Sequence, residues 1–234
     1  MDEKTRETLK VWGVDLTEEQ TALLKLFKDE LLEKNTRFNL FSRNDADYLW
    51  PRHILDALAG APLLKKLLPA GGVIADAGAG FPGIPLAVAL PGCQFDLWDS
   101  SLKRQMFLTW AASRLRLKNV HALHSRIGQS GTLEAGKYDA VVERAMGKLE
   151  NILPQCLNML KAGGVFLAWQ SSGGTGPDGN HAPPADKDPE IRKILGACGG
   201  LAEKTASYRL PLEEKNRLIL VFRKTAQGNT DAYP

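Results

Sequence analysis

The stretch "DAGAGFPGIP" (Asp76–Pro85) decides how the chain folds, and it can be read in two registers. From Gly78 it is Gly-x-Gly-x-x-Gly (Gly78, Gly80, Gly83), the spacing of a dinucleotide-binding loop. From Asp76 it is Asp-x-Gly-x-Gly, the opening of an S-adenosylmethionine (SAM) loop. In both registers it is a turn between a strand and a helix. "GVIADAG" (Gly72–Gly78) before it reads as a short buried strand, and the apolar residues from Gly83 to Leu90 read as the helix.

The pattern repeats outward. "CQFDLWD" (Cys93–Asp99), "NVHALH" (Asn119–His124), "YDAVVER" (Tyr138–Arg144) and "GGVFLAWQ" (Gly163–Gln170) read as strands. Helices at Ser101–Leu117 and Leu149–Leu160 separate them, so βαβ units and a mostly parallel sheet are expected. After a helix "EIRKILGACGG", the strands "AEKTASYRL" and "NRLILVFRK" follow closely enough for an antiparallel hairpin at the sheet edge. Ser171–Pro189, rich in Gly and Pro, predicts a mobile loop. Upstream, Thr17-Glu18-Glu19-Gln20 is a capping box opening a helix to about Lys34. "DADYLWPRHILDALAG" predicts a second helix with Pro51 near its start. The expected organisation is a helical extension at 1–70, a sheet domain at 71–225 and a frayed tail at 226–234.

Bulk properties narrow the class. The 234 residues are 44% hydrophobic and 24% charged, ordinary for a globular protein. "IPLAVAL" (Ile84–Leu90) is too short to span a bilayer, and the charged N-terminus lacks a signal-peptide core, so a cytoplasmic protein is expected. Three widely spaced cysteines (Cys93, Cys156, Cys198) indicate neither a disulfide framework nor a metal site. Net charge is only +3, yet Ser101–Ile127 has no acid and carries Lys103, Arg104, Arg114, Arg116, Lys118 and Arg126. Such a block suits an anionic partner on one face, although any single lysine is more simply a solvated side chain.

The two registers make different chemical demands. A pyrophosphate needs backbone N–H groups at the helix start, and Pro82 and Pro85 each remove one. Asp76 would also set a negative charge near the phosphates. SAM has no phosphate and carries a cationic sulfonium, for which a carboxylate is favourable. Asp99, after the second strand, suits ribose hydroxyls in either cofactor and does not discriminate. The prolines and Asp76 favour SAM.

"AGFPGIPLA" (Ala79–Ala87), "LWDSSLKRQMFL" (Leu97–Leu108), "HSRI" (His124–Ile127) and "YDAVVERAMGKLE" (Tyr138–Glu150) resemble the ribosomal RNA small subunit methyltransferase G family, also called glucose-inhibited division protein B. "FNLFSRNDADYLWPRHILDAL" (Phe38–Leu58) and "NRLILVFRK" (Asn216–Lys224) extend the resemblance over nearly the whole chain. It implies a Rossmann-like class I SAM-dependent methyltransferase: an α/β fold with a mostly parallel seven-stranded sheet, a C-terminal antiparallel hairpin and an N-terminal helical extension. The implied reaction is methylation of N7 of a guanosine in 16S rRNA, by a monomer needing no metal and no membrane, on rRNA or a precursor of the small subunit.

By position, the resemblance implies cofactor contacts at Asp76, Gly78, Gly80, Phe81, Asp99, Ile127, Gly128 and Arg144. It implies RNA contacts at Lys103, Arg104, Arg126 and Arg217, and makes Arg52, His53 and Asp56 candidates for the cofactor mouth. Arg52 and Asp56, four apart on a helix, could instead form a surface pair. Three departures stand out. The glycine loop is two residues shorter than the family's, Gly128 replaces a usual Glu, and Gln170 replaces a usual Lys. Guanine N7 has a free lone pair, so no general base is expected, only positioning. Trp50, Trp110 and Trp169 are the aromatic candidates for stacking on a base, with packing the simpler role for each. Two alternatives stay open: a non-catalytic RNA-binding protein on this fold, and a nicotinamide-dependent oxidoreductase.

Overall fold

The computed structural model describes residues 1–38, 41–78, 80–127, 135–145, 147–171 and 188–226. Seven strands form one sheet in the order β3-β2-β1-β4-β5-β7-β6. They are β1 (Val73–Ala77), β2 (Gln94–Asp99), β3 (Val120–His124), β4 (Tyr138–Arg144), β5 (Leu160–Ser171), β6 (Gly200–Tyr208) and β7 (Arg217–Lys224). The first five run parallel. β7 is antiparallel to both β5 and β6, so the hairpin inserts its second strand into the sheet and leaves β6 at the edge. The strand order reverses direction at β1, between β2 and β4, and a crevice for a ligand opens at such a switch point beyond the carboxyl ends of the strands.

The central strands are buried on both faces, which is why they read as apolar runs rather than alternating ones. One face packs α7 (Leu149–Met159) and α8 (Pro189–Ala197), through Ile152, Leu153, Leu157, Ile191 and Leu195, against Val141, Phe166 and Phe222. The other face packs α5 (Gly83–Ala89) and α6 (Leu102–Arg114) together with the N-terminal helices. Leu9, Leu24, Phe27 and Leu31 of that extension share one core with Phe107, Leu108 and Ala111.

The extension departs from its expected form in two places. A first helix, α1 (Glu3–Trp12), was not anticipated, although Asp2 caps it by accepting from Thr5 N at 2.7 Å and Gly13 closes it at φ 73°. The capping box forms as read: Gln20 N donates to Thr17 Oγ1 at 3.1 Å and Thr17 N to Gln20 Oε1 at 2.9 Å, ahead of α2 (Glu18–Phe38). The second helix breaks into a 3-10 turn (Arg43–Tyr48), a π turn (Leu49–Ile54) and two short helices, α3 (Leu55–Leu58) and α4 (Ala61–Leu67). Pro51 explains the break. It has no N–H, and the wider turn closes instead through Leu55 N on Trp50 O. The Gly/Pro-rich loop expected at Ser171–Pro189 falls almost wholly outside the described residues, as does the tail beyond 226.

Candidate active site

Two cavities open at the carboxyl edge of the sheet. The first, about 580 Å³, is lined by Gly78 after β1, Asp99 and Ser100 after β2, Arg126 and Ile127 after β3, and Arg144 and Ala145 after β4. Asn151, Ile152 and Gln155 of α7 close it. Its carboxylate is Asp99, nearly buried and held in place on both oxygens. Ser101 N donates to Oδ1 at 2.7 Å and Arg104 Nε to Oδ2 at 2.7 Å. Ser101 also caps α6, so the end of β2 and the start of α6 are locked together around this one acid.

The glycine turn shows which cofactor class the cavity suits. A dinucleotide would need free N–H groups where α5 begins. Gly83 N instead donates to Asp76 Oδ2 at 2.9 Å, Ile84 N to Gly80 O at 3.0 Å, and Leu86 N to Pro82 O at 3.2 Å. Pro85 has no N–H to offer. The acceptor at this helix start is the protein's own Asp76 side chain. Gly83 must be glycine for that contact, because a Cβ there would overlap Asp76 Oδ2.

This arrangement corrects the direct cofactor contact expected of Asp76. It is fully buried beneath the turn and does not line the cavity. Burial pushes its carboxyl well above the usual range, opposed by the Gly83 N–H and the nearby Arg144. Gly80 and Phe81 also stand back from the cavity. Gly80 adopts φ 78° and packs so closely under Leu108 that a Cβ would overlap it. Phe81 backs Arg144, whose guanidinium carbon lies 4.9 Å from the ring centroid. Gly78, Asp99, Ile127 and Arg144 line the cavity, while Gly128 lies outside the described residues.

The second cavity, about 360 Å³, is lined by Arg52, His53, Asp56, Trp169, Gln170, Tyr208 and Arg217, and it shares Arg144 and Ala145 with the first. Its centre is Asp56, which is completely buried and is no surface partner of Arg52. Arg144 Nη1 reaches Oδ2 at 3.0 Å, while Arg217 Nη1 at 3.1 Å and Tyr208 OH at 2.5 Å both donate to Oδ1. Arg52 pairs with Glu213 at 3.3 Å and lies over the Tyr48 ring. Arg217 also makes two 2.7 Å bonds to Glu213, and this partnership holds the Glu213 carboxyl below its usual range. The guanidinium of Arg217 is committed to Asp56 and Glu213, against the RNA contact expected of it, whereas Arg104 gives only Nε to Asp99 and its side chain stays 40% exposed. Lys103 and Arg126 are exposed and remain available.

His53 is held in one state by its neighbour. Arg144 Nη2 lies 3.2 Å from His53 Nδ1, and a guanidinium can only donate, so Nδ1 is unprotonated and the ring proton sits on Nε2. Burial and the Arg144 charge lower the ring's pKa from 6.5 to about 4. An unfolded chain therefore binds one more proton between those values, and acidification through that window favours unfolding. The loss is complete near pH 4 and amounts to at most about 3 kcal/mol. Expected from urea titrations at pH 7 and pH 4.5 is a smaller acid-induced loss of stability in His53→Gln than in the parent. Equal losses would refute the assignment.

The aromatic candidates pack. Trp169 is 4% exposed, donates its indole N–H to Asp56 O at 2.9 Å, and lies against Gly60 where any Cβ would collide with it. Trp110 sits against Phe107 and under Lys34, and Trp50 is half-buried against the core. Tyr208 carried no signal in the sequence, since it meets Asp56 only when the hairpin folds back on the extension. Among the described residues, no group of three His, Cys, Asp or Glu could hold a metal ion, and no helix is long and apolar enough to cross a membrane.

A family model for rRNA small subunit methyltransferase G (GidB) matches residues 20–173. A protein named ribosomal RNA small subunit methyltransferase G from Acetivibrio thermocellus is 32% identical over 100% of this chain and 95% of its own length. Its namesake from Alkaliphilus oremlandii is 33% identical over 92% of this chain and 87% of its own. Among solved structures, M. jannaschii TYW2 in complex with AdoMet superposes with a TM-score of 0.52 at 14% identity, over 72% of this chain and 74% of that one. A putative rRNA-methylase from Clostridium thermocellum gives 0.51 at 14% identity, over 72% and 95%. These structural likenesses concern the fold.

Proposed function

The chain belongs to the rRNA small subunit methyltransferase G family, and from that premise we propose that it transfers a methyl group from SAM to N7 of a guanosine in 16S rRNA. SAM dependence and action on small-subunit rRNA come with the family. The choice of N7 rests on one observation about the two cavities. Neither offers an uncommitted general base among the described residues. Asp99 is engaged by Ser101 and Arg104, Asp56 by three donors, and His53 has its basic nitrogen turned to Arg144. An exocyclic amine or a hydroxyl would have to lose a proton on methylation, whereas N7 attacks through a free lone pair.

SAM supplies an electrophilic methyl on a sulfonium. In this reading Asp99 accepts from the ribose hydroxyls, Ile127 packs against the adenine, and Gly78 lets the backbone approach the methionine end. Arg144 stands between the two cavities, fixed by Asp56, His53 and Phe81, and sets their separation. The protein's work is alignment of N7, methyl and sulfur in a line. Lys103 and Arg126 meet RNA phosphates at the mouth, so RNA affinity falls with added salt. The enzyme works as a cytoplasmic monomer on 16S rRNA or a small-subunit precursor.

The cofactor choice is tested by thermal unfolding with each ligand. SAM or its demethylated product is expected to raise the midpoint and NAD to leave it unchanged. Stabilisation by NAD alone would establish an oxidoreductase. Binding of SAM with no methylation of any rRNA would favour a non-catalytic RNA-binding protein on this fold.

A further inference from the structure

We propose that the second cavity receives the target base and that Gln170 selects it by its lactam edge, the adjacent N1–H and C6=O of a 6-oxopurine. The proposal rests on the methyltransferase reading and adds the residue that chooses the base. The cavity adjoins the cofactor cavity through Arg144 and Ala145, so a ring lying in it sits beside the transferred methyl. Its volume, about 360 Å³, is ample for a purine ring.

The walls are rigid and largely committed. Asp56, Arg144, Arg217 and Tyr208 satisfy one another, and Trp169 is pinned to Asp56 O. Gln170 differs. It is half-buried, lines the cavity near the end of β5, and its side chain makes no hydrogen bond to another described residue. Its backbone is fixed in register opposite Leu218 of β7, one step from the Ser171–Arg217 pair. A primary amide carries a donor and an acceptor side by side, the complement of a lactam N–H and C=O. Two bonds to N1–H and O6 leave N7 uncovered, which is where the methyl must arrive.

Adenine presents the reversed pattern, and a free amide could turn to meet it. The surroundings oppose that choice. Arg52, Arg144 and Arg217 line the same cavity around the single carboxylate of Asp56, and this net positive field favours a carbonyl oxygen at C6 over an amine.

The test uses 16S rRNA made by splinted ligation with guanosine, inosine or 2-aminopurine riboside at the methylated position, presented free and in small subunits. Inosine keeps the lactam and lacks the 2-amino group; 2-aminopurine lacks the lactam and keeps N7. The full-length protein is expected to methylate the inosine substrate within about 3-fold of guanosine and the 2-aminopurine substrate about 10- to 100-fold more slowly. Gln170→Ala should lower the guanosine rate to the 2-aminopurine rate, with SAM affinity unchanged by calorimetry. An inosine rate as low as that of 2-aminopurine overturns the proposal, because the 2-amino group would then be read. So does a Gln170→Ala protein that keeps the preference or loses SAM binding. If guanosine itself is not methylated while SAM still binds, the N7 reading falls along with this one, and the cofactor site stands.

Discussion

Replacing Asp56 by alanine is expected to remove about 3–5 kcal/mol of folding stability, a large part of what a domain of this size has. The carboxylate is completely buried between Arg144, Arg217 and Tyr208 and joins the extension to the ends of β4, β6 and β7. Without it, two guanidiniums and a phenol that burial already holds above its usual range lose their common partner. The greater cost comes from the positive charges left behind rather than from the bonds themselves. Asp56→Ala combined with Arg144→Met should therefore recover part of the loss, since Arg217 keeps Glu213 while Arg144 is left with no carboxylate partner. Urea titration of the parent, the single and the double variant measures this. A single-variant loss below 1 kcal/mol would show that water enters and solvates the arginines.

The second large effect is expected at Asp99. Its oxygens are preset by Ser101 N and Arg104 Nε, so the side chain meets a ribose without reorganising. Hydrogen bonds to a charged acceptor contribute about 1.5–3 kcal/mol, so Asp99→Ala should weaken SAM binding about 10- to 150-fold. Binding of 16S rRNA should change little, because Lys103 and Arg126 are exposed and Asp99 is not. Isothermal titration with SAM and filter binding with RNA separate the two. Equal losses in both would mean that the cofactor cavity and the RNA surface are not distinct.

The parts of the molecule legible in the sequence are those where neighbours in sequence are neighbours in space. β1, the glycine turn and α5 form one continuous stretch, and the missing donors at Pro82 and Pro85 could be counted without coordinates. Asp99 followed from its place after β2. The capping box at Thr17–Gln20 was equally local. The failures have the opposite character. Asp56 meets Arg144 across 88 residues, Tyr208 across 152 and Arg217 across 161, and no spacing rule reaches that far. A basic residue in the sequence looks available to RNA until its carboxylate partners are placed, which is how Arg217 misled. Asp76 misled for a related reason. An acid before a glycine turn suits a cationic cofactor, yet it suits the open N–H of the next helix equally well, and Gly83 N lies within reach.

Transfer of a methyl from SAM to N7 of one guanosine in 16S rRNA, as proposed for this chain, leaves a mark that can be read in the RNA itself. N7-methylguanosine can be mapped directly by borohydride reduction and aniline cleavage of the rRNA, without dimethyl sulfate. In 16S rRNA from a strain lacking the gene, one cleavage site is expected to disappear. It should return when the purified protein and SAM are added to the mutant's small subunits. An unchanged cleavage pattern in the deletion strain would contradict the account.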